Sequence, residues 1–268
     1  MRVAANGIQI NYEQEGSGTP LVLTHGLGDD LHFWDRVVAP LAQQHTVLCW
    51  DVRGFGVTDK PAGPYSPELF AADLAALLDG LGLDRVHLGG ISMGGVIAQR
   101  FALDHPGRVR SLLLVSTSSE IAARGTANWQ RLADAVEQRG FGSGARDASR
   151  SFAPGFAARH PEIVAAAGEQ TARNQPLAYA AAARAMSEYN WTAELTQVRV
   201  PTLILQGLDD QLTPPGGSVK MSRALPGARL LMLPGTGHNL PLEQPTFFTA
   251  AVLGFTAAVD ACADLAGR

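Results

Sequence analysis

The sequence has almost no cysteine, with two in 268 residues, Cys49 and Cys262. Two cannot form the disulfide framework that staples small secreted folds. Cys49 lies in the apolar run Thr46-Val47-Leu48-Cys49-Trp50, where a buried free thiol is expected. Positive charge is not in excess either: 21 Lys and Arg face 25 Asp and Glu, so no basic stripe offers itself to nucleic acid. No apolar run reads as long enough to span a bilayer. The N-terminus, M-R-V-A-A-N-G-I-Q-I-N-Y, lacks the apolar stretch of a signal peptide and reads as a strand. Zinc-ligand spacings, phosphate loops and dinucleotide fingerprints are missing, so no metal and no cofactor is expected. There are no internal repeats and no low-complexity linkers. These absences point to the cytoplasm and to a small-molecule substrate, with no nucleic acid and no membrane as partner. The oligomeric state stays open, a homo-oligomer included.

What is present is apolar substance and an alternating pattern. Hydrophobic residues make up 46% and charged ones 17%, enough for a large core in one α/β unit with an insertion. Gly7 to Glu13 alternates as a half-buried edge strand does. Leu21–Leu23, Val47–Trp50, Val86–Leu88, Val109–Val115, Pro201–Gln206 and Ala228–Leu233 read as buried strands. Helices are expected between them: Phe33–Ala42, a segment to Leu81 with Ser66 as N-cap, one after residue 92 to His105, and Gly216–Leu225. A closing helix covers Gln244–Leu265. Continuous apolar strands alternating with helices call for a parallel sheet covered on both faces, with chemistry at the carboxyl ends of its strands.

From Ser116 to Gln197 the strand signals vanish. Helical windows at Trp129–Arg139, Ile163–Arg173 and Tyr179–Met186 are broken at Gly140–Gly144 and at Phe152–Gly155. Residues 117–197 therefore read as a helical cap set into a core of 1–116 and 198–268. Its eight arginines match its eight acids, so it shows no bias toward anionic substrates.

The stretch that organises the chain is Arg85 to Arg100. Gly90-Ile91-Ser92-Met93-Gly94 fits G-x-S-x-G, a strand-to-helix turn that lifts a serine clear of a sheet. With 13 serines and 29 glycines, such a match arises by chance roughly 0.15 times, and the flanking strand and helix argue against chance. Side chains at Gly90 and Gly94 would collide with the crossing elements. Ser92 would stand at a helix N-terminus, where free N–H groups favour negative charge.

A serine hydroxyl needs a base, and His238, in the glycine-flanked loop after the last strand, fits that part. The base needs an acidic partner to fix its tautomer. Asp209 and Asp210 end the preceding strand, and spacing from Gly207 favours Asp210. An oxyanion needs N–H donors: Met93 after the serine, and Leu27 in the turn His25-Gly26-Leu27-Gly28. His25 could brace that loop without touching substrate, and Arg53 reads as a loop brace. Trp34, Trp129, Trp191, Phe141, Phe152, Phe156, Met186 and Tyr189 are pocket candidates; most are expected in the core, and Trp129 and Met186 are favoured for the pocket.

Those landmarks, with Asp51-Val52-Arg53-Gly54-Phe55-Gly56, stand in the order of the α/β-hydrolase superfamily, which the chain resembles over nearly its whole length. The segment His238-Asn239-Leu240-Pro241-Leu242-Glu243-Gln244-Pro245 is similar to the H-x-x-x-x-E-x-P of bacterial members with helical caps. The elbow and small cap most resemble 3-oxoadipate enol-lactonases and related carboxylesterases. The resemblance implies the α/β-hydrolase fold, a mostly parallel central sheet flanked by helices with a small helical cap. It assigns Ser92 as nucleophile, Asp210 as acid, His238 as base, and Leu27 and Met93 as oxyanion donors, acting on an ester or lactone. Ser at 92, rather than Asp or Cys, argues against dehalogenases, epoxide hydrolases and dienelactone hydrolases. The same residues could serve a carbon–carbon bond hydrolase or a cofactor-free haloperoxidase or perhydrolase, and the fold also serves non-catalytic ligand receptors.

Overall fold

A computed structural model describes residues 1–142 and 147–266. Its strands are β1 (Arg2–Ala5), β2 (Ile8–Glu15), β3 (Thr19–Thr24), β4 (His45–Trp50), β5 (Val86–Ile91), β6 (Val109–Val115), β7 (Thr202–Gly207) and β8 (Arg229–Leu233). They form one sheet in the order β1-β2-β4-β3-β5-β6-β7-β8. From β4 to β8 every pairing is parallel, while β1–β2 and β2–β4 are antiparallel. The helices in chain order are α1 (Asp35–Leu41), α2 (Pro67–Gly80), α3 (Met93–Asp104), α4 (Ala123–Arg139), α5 (Pro154–Arg159), α6 (Pro161–Ala172), α7 (Pro176–Ala185), α8 (Gly216–Ala224), α9 (Leu240–Glu243) and α10 (Pro245–Ala266).

Successive strand side chains alternate between two cores, the physical reason these strands read as unbroken apolar runs. Val22, Leu48, Leu112, Leu114 and Ile204 face one core with Leu74 and Leu77 of α2 and Ile97 and Phe101 of α3. Leu21, Leu23, Val47, Leu113 and Leu203 face the other, with Val37 of α1 and Phe248 and Val252 of α10. Cys49 is a buried free thiol in this second core, and burial pushes its pKa up.

Three readings of the sequence need correction. Gly7–Glu13 does not lie at the sheet edge, because β1 precedes it and takes that place. The missed signal is Asn6-Gly7, both at positive φ (47° and 77°), the tight turn that folds β1 onto β2. The break at Phe152–Gly155 is shorter than read: Phe152 and Ala153 are non-helical, but Pro154 already opens α5, where a missing N–H costs nothing. Third, α10 is long and apolar enough over Pro245–Ala263 to cross a membrane by length and composition. Its alanines raise the apolar content; Phe248, Val252 and Phe255 are buried in the second core, while Phe247 is exposed. The helix at Trp129 begins earlier, at Ala123, where Arg-Gly-Thr-Ala-Asn carries no apolar periodicity. Gly140, at φ 64°, ends α4; Ser143 and Gly144 lie outside the described residues. Ser66 caps α2 as expected, its Oγ accepting from the Leu69 N–H at 3.1 Å.

Under the sheet, α10 covers a buried polar cluster. His87 of β5 is fully buried, with Nδ1 2.7 Å from Ser111 Oγ and Nε2 obliquely placed 3.2 Å from Asp260 Oδ1. His45 and Arg110 stand beside it. Burial pushes the His87 imidazole down to about 4, the Asp260 carboxylate opposing only in part. The unfolded chain then binds more protons than the native one between about pH 6.5 and 4, so stability falls as pH falls through that window. Urea unfolding at pH 7 and pH 5 should show a loss of about 2 kcal/mol from this group alone. In His87→Asn that part of the loss should disappear; an unchanged difference between the two pH values would exclude His87 as its source.

Candidate active site

The sheet order brings the carboxyl ends of β3, β5, β7 and β8 to one edge, and each is followed by a residue singled out in the sequence. After β5 comes Ser92, at φ 52° and ψ −117°, a conformation L-residues seldom adopt. Its N–H donates to the Val115 carbonyl at 3.0 Å, and its own carbonyl accepts from Thr117 Oγ1 at 2.8 Å. The turn closes only because glycines flank it. A β-carbon on Gly90 would meet the backbone of Gly94 and Gly95; one on Gly94 would meet the carbonyl oxygens of Thr24 and His25. At Gly95 it would stand 2.6 Å from Thr117 Cγ2.

Met93 is the first residue of α3, so its N–H has no carbonyl one turn earlier in the helix to bond. The turn after β3 lies alongside: a β-carbon at Gly26 would be 3.6 Å from Ser92 Cβ. His25 is fully buried and braces this turn. Its Nε2 accepts from the Val52 N–H at 3.0 Å and its Nδ1 donates to the Gly26 carbonyl at 2.7 Å. Burial holds its pKa below the ordinary histidine value, favouring the neutral ring that can do both. The helical insertion between β6 and β7 grips the turn too. Asn174 Nδ2 donates to the Gly28 carbonyl and Gln170 Nε2 to Asp30 Oδ2, each at 2.7 Å. Arg53 braces a neighbouring loop, pairing at 2.6 Å with the buried Asp73.

After β7, Asp210 is buried while Asp209 is exposed. Asp210 Oδ2 lies 2.9 Å from His238 Nδ1, in the loop after β8. The carboxylate also accepts the N–H groups of Leu212 (2.8 Å) and Thr213 (2.9 Å) and the Thr213 hydroxyl (2.7 Å). Burial by itself would raise its pKa; the His238 charge and these hydrogen bonds outweigh it and bring it to about 2. Asp210 is therefore a carboxylate near neutral pH, placed to orient the His238 ring through its contact with Nδ1.

Ser92, Leu27 and His238 line one small cavity of about 40 Å³. Ser92 also lines a larger cavity of about 310 Å³, whose walls include Met93, Val96, Ile121, Trp129, Met186 and Tyr189 together with Ser118, Ser119 and Thr213. Trp129 and Met186 both line this cavity. Trp34 and Trp191 are core, as are Phe152 and Phe156. Sequence reasoning passed over Thr213, whose only signal is its place three residues after Asp210. It also passed over Tyr179 of α7 in the small cavity, which no local pattern marks. Glu243, in the H-x-x-x-x-E-x-P segment, has a definite structural place. Its carboxylate accepts from Gly237 N–H at 3.0 Å and Ala153 N–H at 3.1 Å, tying the His238 loop to the insertion. Burial raises its pKa. Among the described residues no group of three or more His, Cys, Asp and Glu converges as a metal site requires.

A family model described as the alpha/beta hydrolase fold matches residues 19–245. The chain is 29% identical to 3-oxoadipate enol-lactonase 2 of Acinetobacter baylyi, over 93% of this chain and 94% of that protein. It is 32% identical to 2-hydroxy-6-oxo-2,4-heptadienoate hydrolase of Pseudomonas putida, over 96% of each. Among solved structures, a thermophilic esterase from Thermogutta terrifontis, with malate bound, superposes with a TM-score of 0.91 at 32% identity, covering 97% of this chain and 99% of that one.

The close approach of β3 to the elbow gives a direct test. Gly94→Ala should cost about 3 kcal/mol in urea unfolding, because the new methyl meets backbone that cannot retreat. Gly107→Ala, where the added carbon meets nothing within 4 Å, should stay within about 0.5 kcal/mol. Equal effects would mean the elbow is not held by that contact.

Proposed function

The chain belongs to the α/β-hydrolase fold family, and within it we propose a serine hydrolase that cleaves a carboxylic ester or lactone through an acyl-enzyme on Ser92. The observation that carries the reading is the buried Asp210–His238 pair, with His238 and Ser92 on the wall of one cavity. Ser92 Oγ attacks the ester carbonyl as its proton passes to His238 Nε2. The negative charge that develops on the carbonyl oxygen is met by the N–H groups of Leu27 and Met93, with α3 behind Met93 adding its dipole. The tetrahedral intermediate collapses as His238 gives its proton to the leaving alcohol. Water then attacks the acyl carbon, His238 takes one of its protons, and the acid leaves as that proton returns to Ser92. Asp210 stabilises the imidazolium in both halves. In this reading 1–116 and 198–268 form the core domain and 117–197 the cap that roofs the site.

The similarity to enol-lactonase and esterase proteins supports ester chemistry. The likeness to a 2-hydroxy-6-oxo-2,4-heptadienoate hydrolase favours, as a second reading, hydrolysis of a carbon–carbon bond by the same residues. Parallel assays on p-nitrophenyl esters, a vinylogous diketone and halide oxidation separate these. A fluorophosphonate probe should label native protein at Ser92, and Ser92→Ala should stay folded while kcat falls roughly 10⁶-fold. Asp210→Asn should lose roughly 10⁴-fold. Near-native ester turnover in a folded Ser92→Ala protein would refute the assignment, and absence of label would favour a non-catalytic receptor.

A further inference from the structure

The two cavities that meet at Ser92 differ in size and lining, and this difference separates the two halves of the substrate. The leaving alcohol must take a proton from His238, and His238 lines the small cavity. The acyl part therefore extends into the larger one, whose volume is near the low end for ligand pockets. Its walls are mostly apolar, with the hydroxyls of Thr117, Ser118, Ser119 and Thr213 among them and a single pair of charged side chains. Among the described residues lining it, Lys220 of α8 is the one cation and Glu120 the one anion. The two are paired with each other, Lys220 Nζ on Glu120 Oε1. Glu120 is held in turn by the Thr192 hydroxyl at 3.2 Å on Oε2. Both side chains reach solvent, 51% exposed for Lys220 and 29% for Glu120, so the pair stands at the cavity rim.

We propose that Glu120 is a specificity determinant: by occupying Lys220, it makes the acyl cavity select uncharged acyl groups over those ending in a carboxylate. An acyl chain carrying its own carboxylate would have to displace Glu120 from Lys220 or lie unpaired against it. The inference rests on Ser92 acting as proposed. A surface pair of this kind contributes little to folding, so its removal bears on selectivity more than on stability.

The test compares methyl hexanoate with monomethyl adipate, two methyl esters whose acyl chains are alike except for the terminal carboxylate, by proton release at fixed pH. Native enzyme should prefer the hexanoate. Glu120→Gln should move the kcat/KM ratio about fivefold toward the adipate ester, mainly through KM, and the gain should fade in added salt. Lys220→Met should move the ratio the opposite way, since it leaves the Glu120 charge without its counter-charge. Opposite directions are the signature, because general damage to the site would push both variants the same way. A ratio unmoved by either variant, or moved alike by both, overturns the role of Glu120 while leaving the hydrolase intact. If neither ester is turned over and a fluorophosphonate leaves Ser92 unlabelled, the proposed hydrolase falls, and this inference with it.

Discussion

The close packing of backbone on backbone at the end of β5 is the constraint on which the site depends. Ser92 holds a conformation that costs energy, and such strain persists only where its surroundings leave no alternative. Gly90 and Gly94 remove the atoms that would keep β5, α3 and β3 apart. The Val115 carbonyl and the Thr117 hydroxyl fix the serine backbone from the β6 side. The same approach sets the first N–H of α3 and the turn at Gly26 on either side of Ser92. The strain of one residue and the two oxyanion donors proposed beside it therefore have a single physical origin.

A second layer supports the first. Asp210 gathers two backbone N–H groups, a hydroxyl and the imidazole, which together overcome the cost of burying its charge. Its partner loop is tied down by Glu243, and the turn after β3 is held by Asn174 and Gln170. Three of these supports involve the insertion between β6 and β7. The helical insertion thus takes part in positioning the groups of the site.

The relatives share this frame while their names record different reactions, a lactonase and a carbon–carbon hydrolase among them. Chemistry of that breadth on one frame means that selectivity resides in the cavity walls. Here the walls of the larger cavity are mostly apolar, with one ion pair, Lys220 and Glu120, among its lining residues.

Much of this was written in the linear sequence, because its signals are local. Apolar runs of strand length report burial on two faces. Gly90-x-Ser92-x-Gly94 marks a turn whose steric demand falls within five residues, and His25, Asp210 and His238 each lie within a few residues after a strand end. Local signals failed where a turn's meaning depended on its partner, as at Asn6-Gly7, or where composition hid a buried face, as in α10. Only the tertiary structure decided between Asp209 and Asp210, since burial and a 2.9 Å contact with His238 arise from two strands meeting across the sheet. It alone joined Glu120 to Lys220, 100 residues apart in the chain. Such pairings depend on long-range packing, which no pattern within a few residues can encode.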